Sequence, residues 1–74
     1  MNKELIGNNL KFLRKTTNMK MLDFSERMNA SVSTIQYYER GNVSVESLVR
    51  YKKEFNVSLD DLCFKNLSKF GIEN

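Results

Sequence analysis

The chain has 74 residues and a formal net charge of +3, and it contains one cysteine, Cys63, and no histidine. This length is enough for one domain, and a core of that size is marginally stable. A single cysteine excludes an intramolecular disulfide, and the lack of histidine excludes a Cys/His zinc site. Self-association remains as a way to add stability. The mildly basic charge is compatible with a nucleic-acid partner, although many solvated surfaces carry a similar charge.

The sequence lacks the usual features of a membrane protein and of an enzyme. It has no apolar stretch of about 18 residues and no uninterrupted apolar core near its start, so we expect a cytoplasmic protein with no membrane partner. Without histidine, a catalytic cluster or a phosphate-binding glycine loop, we expect no enzymatic activity, no cofactor and no metal. No small-molecule ligand is evident. The one carboxylate pair, Asp60 and Asp61, suits a helix start, where negative charge complements the helix dipole.

Apolar spacing predicts two helices in the first part of the chain. The first runs from Asn2 to about Thr16, with Ile6, Leu10 and Leu13 on its inner face. The second is short and runs from about Met21 to Met28. It begins without the serine or threonine that usually caps a helix, so this end is expected to fray or to borrow a cap.

The segment NASVSTIQYYERG, residues 29–41, predicts a turn, a third helix and a stop. Ser31 is a good N-cap, and Gly41 can adopt the left-handed backbone that ends many helices. Ile35 and Tyr38 form an apolar seam on one side. The other side carries polar, aromatic and cationic groups, namely Ser33, Gln36, Tyr37 and Arg40. An ordinary solvated face fits this helix alone equally well, but two short helices joined so closely must cross steeply, as in a helix-turn-helix.

Two more helices and a tail complete the predicted chain. Ser44 caps a fourth helix over about Val45–Phe55, and Ser58 opens a short fifth helix. The expected fold is therefore all-α with five helices, comprising a helix-turn-helix domain over residues 1–64 and a short tail over 65–74. The tail carries Leu67, Phe70 and Ile72, which either cover the core or contact a second subunit.

Three blocks of sequence resemble the Cro/phage-repressor (XRE-type) helix-turn-helix family. They are IGNNLKFLRK at 6–15, DFSERMNASVSTIQYYERG at 23–41 and LVRYKKEFNVSLDDL at 48–62. The resemblance implies a lambda-repressor-like DNA-binding fold. The chain departs from the family at Met21, where a phosphate-binding glutamine is usual, and at Lys20, where serine or threonine is usual. The loop after the third helix is also short and lacks proline.

The family resemblance implies roles for individual residues. The base-contacting positions would be Val32, Ser33, Gln36 and Tyr37. The phosphate-contacting positions would be Lys20, Ser31, Thr34, Arg40 and Asn42. Gln36 suits an adenine edge, because an amide presents a donor and an acceptor together. Arg14 and Glu39 match an ion pair that links the first helix to the end of the third.

Two functional hypotheses follow from this resemblance. The first is a sequence-specific transcriptional regulator, expected to be a repressor, that reads a palindromic operator in double-stranded DNA as a homodimer. Its dimer interface would use Leu59, Leu62, Phe64, Leu67 and Phe70, although Leu59 and Leu62 also fit the core. The alternative is a protein-interaction module, such as an antitoxin or adaptor, that uses the same fold and holds another protein with its apolar tail.

Overall fold

The computed structural model describes residues 2–71, and within that range the fold is entirely helical. Its six helices are α1 (Lys3–Thr16), α2 (Met21–Arg27), α3 (Val32–Glu39), α4 (Val45–Phe55), α5 (Leu59–Phe64) and α6 (Leu67–Phe70). The all-α class is therefore as predicted, with one helix more than the five expected. No helix among residues 2–71 has the length and apolar character needed to cross a membrane.

Side-chain caps start every described helix except α2. The capping residues are Asn2, Ser31, Ser44, Ser58 and Asn66, each of which accepts a hydrogen bond from an amide of the first turn. The start of α2 has Lys20 at this position, and its side chain makes no cap bond, because an ammonium group has no acceptor. After α1 and α2, Asn18 and Asn29 adopt a left-handed backbone conformation with positive φ, which asparagine tolerates better than most residues.

The core is built around α1, which contacts α3, α5 and α6. Ile6, Leu10 and Leu13 are fully buried on its inner face, as the spacing predicts. An aromatic cluster continues the core beneath α3. Tyr51 stacks on Phe55 with ring centroids 6.1 Å apart, and it meets the edge of Tyr38 at 6.3 Å. This cluster supports the inner side of α3 and leaves its other side to solvent.

A buried asparagine ties the end of the described chain to α1. Asn9 is 1% exposed. Its Nδ2 donates to the carbonyl oxygens of Leu62 at 2.9 Å and Lys65 at 2.6 Å, and its Oδ1 accepts from the amide of Leu67 at 3.0 Å. These bonds hold the end of α5 and the start of α6 against α1. The segment after residue 64, expected to be a tail, therefore contains a short helix that is part of the fold.

This packing corrects the expected dimer surface. Leu62 and Leu67 are fully buried within one chain, so they belong to the core and are not open to a second copy. Leu59 is half-buried against the same core. Phe64 and Phe70 remain on the surface, with 71% and 62% of their area exposed. The third apolar tail residue, Ile72, lies outside the described residues.

Two glycines allow α1 to approach the end of α3 closely. A Cβ atom at Gly7 would lie 2.4 Å from the carbonyl oxygen of Glu39. A Cβ atom at Gly41 would lie 2.2 Å from the carbonyl oxygen of Lys3, and Gly41 also has a φ of +89°. Both neighbours are backbone atoms, so they cannot move aside as a flexible side chain would. The position of α3 relative to α1 therefore depends on glycine at both sites.

We expect Tyr51→Phe to raise the melting temperature at neutral pH. The Tyr51 hydroxyl is buried and has no hydrogen-bond partner among the residues described. Removing an unpaired buried hydroxyl should stabilise the fold by about 1 kcal/mol, which corresponds to about 4–8 °C in a domain of this size. Thermal melts followed by circular dichroism would measure the difference. A lower melting temperature in the variant would mean that the hydroxyl is satisfied in solution.

The same variant should change the response to alkaline pH. Burial raises the pKa of Tyr51 well above its ordinary value, and the charge of Glu39 raises this pKa further. The unfolded chain loses the phenolic proton above about pH 10, whereas the folded chain keeps it. The stability of the wild type should therefore fall more steeply above that pH than the stability of Tyr51→Phe. Equal slopes in denaturant titrations between pH 9 and about 11 would contradict this assignment.

Candidate nucleic-acid interface

The turn between α2 and α3 is held by backbone hydrogen bonds. Asn29 has a φ of +54°, and the amide of Ala30 donates to the carbonyl oxygen of Ser25 at 2.9 Å. Arg50, on α4, donates from Nη1 to the carbonyl oxygen of Met28 at 3.1 Å. This last bond satisfies a carbonyl at the end of α2 and fixes the turn to the rest of the fold. The angle between α2 and α3 is therefore fixed by a hydrogen bond within the turn and by a second one from α4.

Helix α3 has the two faces that its sequence predicts. Ile35 is fully buried, and Tyr38 packs against the core. The solvent face carries Ser33, Gln36, Tyr37 and Arg40, all of which are exposed. Val32, the first residue of the helix, is half-buried. Three of the four residues expected to contact bases are therefore exposed on one helix, and the fourth lies at its start.

Hydroxyl groups cluster at the start of α3. Ser31 Oγ accepts from the amide of Thr34 at 3.1 Å. The same oxygen lies 2.8 Å from Thr34 Oγ1 and 3.1 Å from Ser33 Oγ. The three side chains hold one another in place on the surface. They form a compact group of donors and acceptors at the start of α3, which suits contact with an oxygen-rich partner.

Two cations lie at the other end of α3. The Arg40 guanidinium is centred 5.8 Å from the middle of the Tyr37 ring, a cation–π distance. Lys3, on α1, donates from Nζ to Asn42 Oδ1 at 2.9 Å. Arg40 and Asn42 were both expected to contact phosphate, whereas Lys3 was not singled out. Lys20, the remaining expected cation, is exposed at the start of α2.

A shallow hollow runs between α1 and the solvent face of α3. It is lined by Asn8, Lys11, Arg14, Met21, Gln36, Glu39 and Arg40. Met21 stands where the family resemblance predicts a glutamine, and here it supplies an apolar wall instead of a donor. Lys11 and Asn8 are exposed donors beside Gln36 that sequence reasoning did not select. Asn8 and Lys11 are three positions apart, and this spacing indicates that both lie on one side of the helix.

The expected ion pair between α1 and α3 is present and has two hydrogen bonds. Arg14 Nε donates to Glu39 Oε2 at 2.6 Å, and Nη2 donates to Oε1 at 3.0 Å. The two side chains are only 14% and 9% exposed. The hydrogen bond with Glu39 raises the pKa of Arg14, so the guanidinium stays charged. Because Glu39 is the only acidic residue in α3, this pairing leaves the helix without an unpaired negative charge.

Comparison with known proteins agrees with this geometry. The helix-turn-helix family of the Cro/C1 type, also called the XRE family, matches residues 10–62. The chain belongs to this family. Neither the curated proteins nor the solved structures contain a significant match. As an XRE-family protein it is a DNA-binding helix-turn-helix regulator, and its fold is of the lambda-repressor type.

Proposed function

We propose that this XRE-family protein is a transcriptional repressor that reads a palindromic operator as a homodimer, with α3 in the major groove. The observation that carries the proposal is the solvent face of α3, where Ser33, Gln36 and Tyr37 are exposed beside the cation Arg40. The pairing of Glu39 with Arg14 removes the one negative charge that would repel DNA from this helix. The duplex supplies the matching partner, with base edges in its groove and phosphates on its rims.

Within this proposal, α3 supplies the residues that distinguish one sequence from another. Gln36 would hydrogen-bond an adenine edge through both of its amide atoms. Val32 would contact a thymine methyl group, while Ser33 and Tyr37 would contact neighbouring base edges. The assignments of Gln36 and Val32 favour A·T pairs within each half-site. They follow from side-chain chemistry and from the exposure of three of the four residues on one helix.

The proposed phosphate contacts surround α3 and set its register. At its start, Ser31 and Thr34 offer hydroxyl groups, and Lys20 lies at the start of α2 nearby in the chain. At its end, Arg40 and Asn42 meet the opposite rim of the groove. The ring of Tyr37 would hold the Arg40 guanidinium before DNA arrives, which lowers the cost of ordering that side chain.

We place the dimer contact on an apolar groove at the side of α4 and α5. The groove is lined by Val43, Ser44, Val45, Leu48, Leu59 and Cys63. Val45 in this lining is 74% exposed, and Phe64 on α5 is 71% exposed. Val43 and Ser44 also border the hollow that contains Tyr37 and Asn42. A dimer formed there would have to hold its two recognition helices about 34 Å apart to read half-sites on one face of DNA.

Two substitutions, one on α3 and one at its C-cap, separate base reading from phosphate binding. Gln36→Ala should cost about 1–3 kcal/mol on the preferred duplex and relax the preference at one base pair. Arg40→Gln should lower the affinity for the preferred and the unrelated duplex by a similar factor, so that the preference for one sequence is kept. Fluorescence anisotropy on both duplexes would measure the four affinities. Equal affinities for Gln36→Ala and the wild type on the preferred duplex would contradict the proposed reading role.

The exposed phenylalanines favour one other function. Phe64 and Phe70 are both on the surface, and an antitoxin or adaptor could hold a different protein with them. Such a module would not depend on Gln36 and Arg40. Full biological activity of a Gln36→Ala, Arg40→Gln double variant would therefore favour the interaction module over the repressor.

A further inference from the structure

We propose that Lys3 contacts a backbone phosphate, so that the DNA interface extends from α3 onto the start of α1. This inference rests on the proposed function and adds a residue outside the helix-turn-helix. Lys3 Nζ donates to Asn42 Oδ1 at 2.9 Å. Both residues line an open hollow of about 510 Å³ at the end of α3, together with Tyr37 and Ser44.

The surface around Lys3 is continuous with the proposed DNA-binding face. Tyr37 is half-exposed and lines the same hollow as Lys3. Its ring also carries the Arg40 guanidinium. Tyr37 therefore links the two cations at the end of α3, since its ring faces Arg40 and it lines the same hollow as Lys3. A strand of the duplex that meets Arg40 can meet Lys3 at a neighbouring phosphate.

The chemistry of the lysine ammonium fits this role. An ammonium group has three donors, and the bond to Asn42 is the one hydrogen bond that the Lys3 side chain makes within residues 2–71. The other two donors can reach phosphate oxygens. The bond to Asn42 also restrains a flexible side chain before DNA binds, which reduces the entropy lost on binding.

The backbone of Lys3 is also held in place. The carbonyl oxygen of Lys3 packs against Gly41, two residues after the end of α3, since a Cβ atom at Gly41 would lie 2.2 Å from it. Lys3 is thus positioned by the contact of α1 with α3, and not by a flexible arm. This arrangement predicts that Lys3 contacts a phosphate at a fixed distance from the bases that α3 reads.

The test compares Lys3→Gln with the charge-matched control Lys52→Gln, which alters an exposed lysine of α4 that borders neither hollow beside α3. The probes are a duplex selected by the wild type from a random pool and an unrelated duplex of equal length. Affinity would be measured from low to high salt. Each lost phosphate contact lowers the slope of log affinity against log salt by about 0.9, so the slope should fall by about 1.8 for a dimer.

We expect Lys3→Gln to lower the affinity for both duplexes by a similar factor and to keep the base preference. Lys3→Arg should restore the slope, and the melting temperature should be unchanged because the bond to Asn42 is exposed. A slope for Lys3→Gln equal to that of Lys52→Gln would overturn the inference. A loss of affinity explained by a lower melting temperature would overturn it too. Failure of the proposed function would instead appear in the wild type, as binding without any preferred sequence.

Discussion

Glu39→Ala should lower the free energy of unfolding by about 3 kcal/mol, because it leaves Arg14 charged and almost buried without its partner. The expected value is at the lower end for buried pairs, since the two side chains retain 14% and 9% exposure. Both hydrogen bonds of the pair would be lost. In a domain of this size the change corresponds to a fall in melting temperature of about 12–24 °C.

Two comparisons make this result specific to the ion pair. Glu46→Ala removes an exposed carboxylate from the first turn of α4, where its interaction with the helix dipole contributes about 0.3–1 kcal/mol, so the melting temperature should fall by less than about 8 °C. Replacing both partners, as Arg14→Met with Glu39→Leu, should be far less harmful than Glu39→Ala alone. A Glu39→Ala variant that melts at the temperature of the wild type would show that the pair does not stabilise the fold.

Asn9→Leu should destabilise the chain by a similar or larger amount. The substitution keeps the size of the side chain and removes its three hydrogen bonds to the end of α5 and the start of α6. Two of the bonds lost are in buried positions, at Leu62 and Leu67. Each buried backbone group left without its partner costs about 1–3 kcal/mol, so we expect a loss of about 4 kcal/mol in the free energy of unfolding.

The neighbouring asparagine provides a matched control for this experiment. Asn8 is exposed on α1, so Asn8→Leu has the same chemistry without the buried bonds and should change stability by less than about 0.5 kcal/mol. Urea unfolding at equilibrium would measure both variants. An equal loss of unfolding free energy in Asn9→Leu and Asn8→Leu would show that the loss does not come from the buried hydrogen bonds of Asn9.

The helices and the two faces of α3 could be predicted because their causes are local. Ser31 caps α3 through a hydrogen bond with an amide only three residues further on, and Gly41 ends the segment through its own backbone conformation. The buried Ile35 and the exposed Gln36 follow from helical spacing. The Arg14–Glu39 pair lies 25 residues apart in the chain, and only the resemblance to a known family indicated it.

The contacts that could not be predicted join distant parts of the chain. Asn9 bonds to residues 53–58 positions away. Its spacing from Ile6 and Leu13 places it on the inner face of α1, but no local pattern indicates which backbone groups its amide will bond. The same bonds explain why Leu67 belongs to the core and why a sixth helix forms in the expected tail. Lys3 and Asn42 are 39 positions apart, so their contact also requires the folded arrangement of α1 and α3.

The most direct test of the central claim is selection of duplexes from a random pool by the wild-type protein at low and high salt. The proposal predicts an enriched palindrome with half-sites about ten base pairs apart and an affinity that falls steeply with salt. A pool that shows weak, salt-sensitive binding and no enriched sequence would contradict the account of a dimeric operator-reading repressor, and it would direct attention to a protein partner for Phe64 and Phe70.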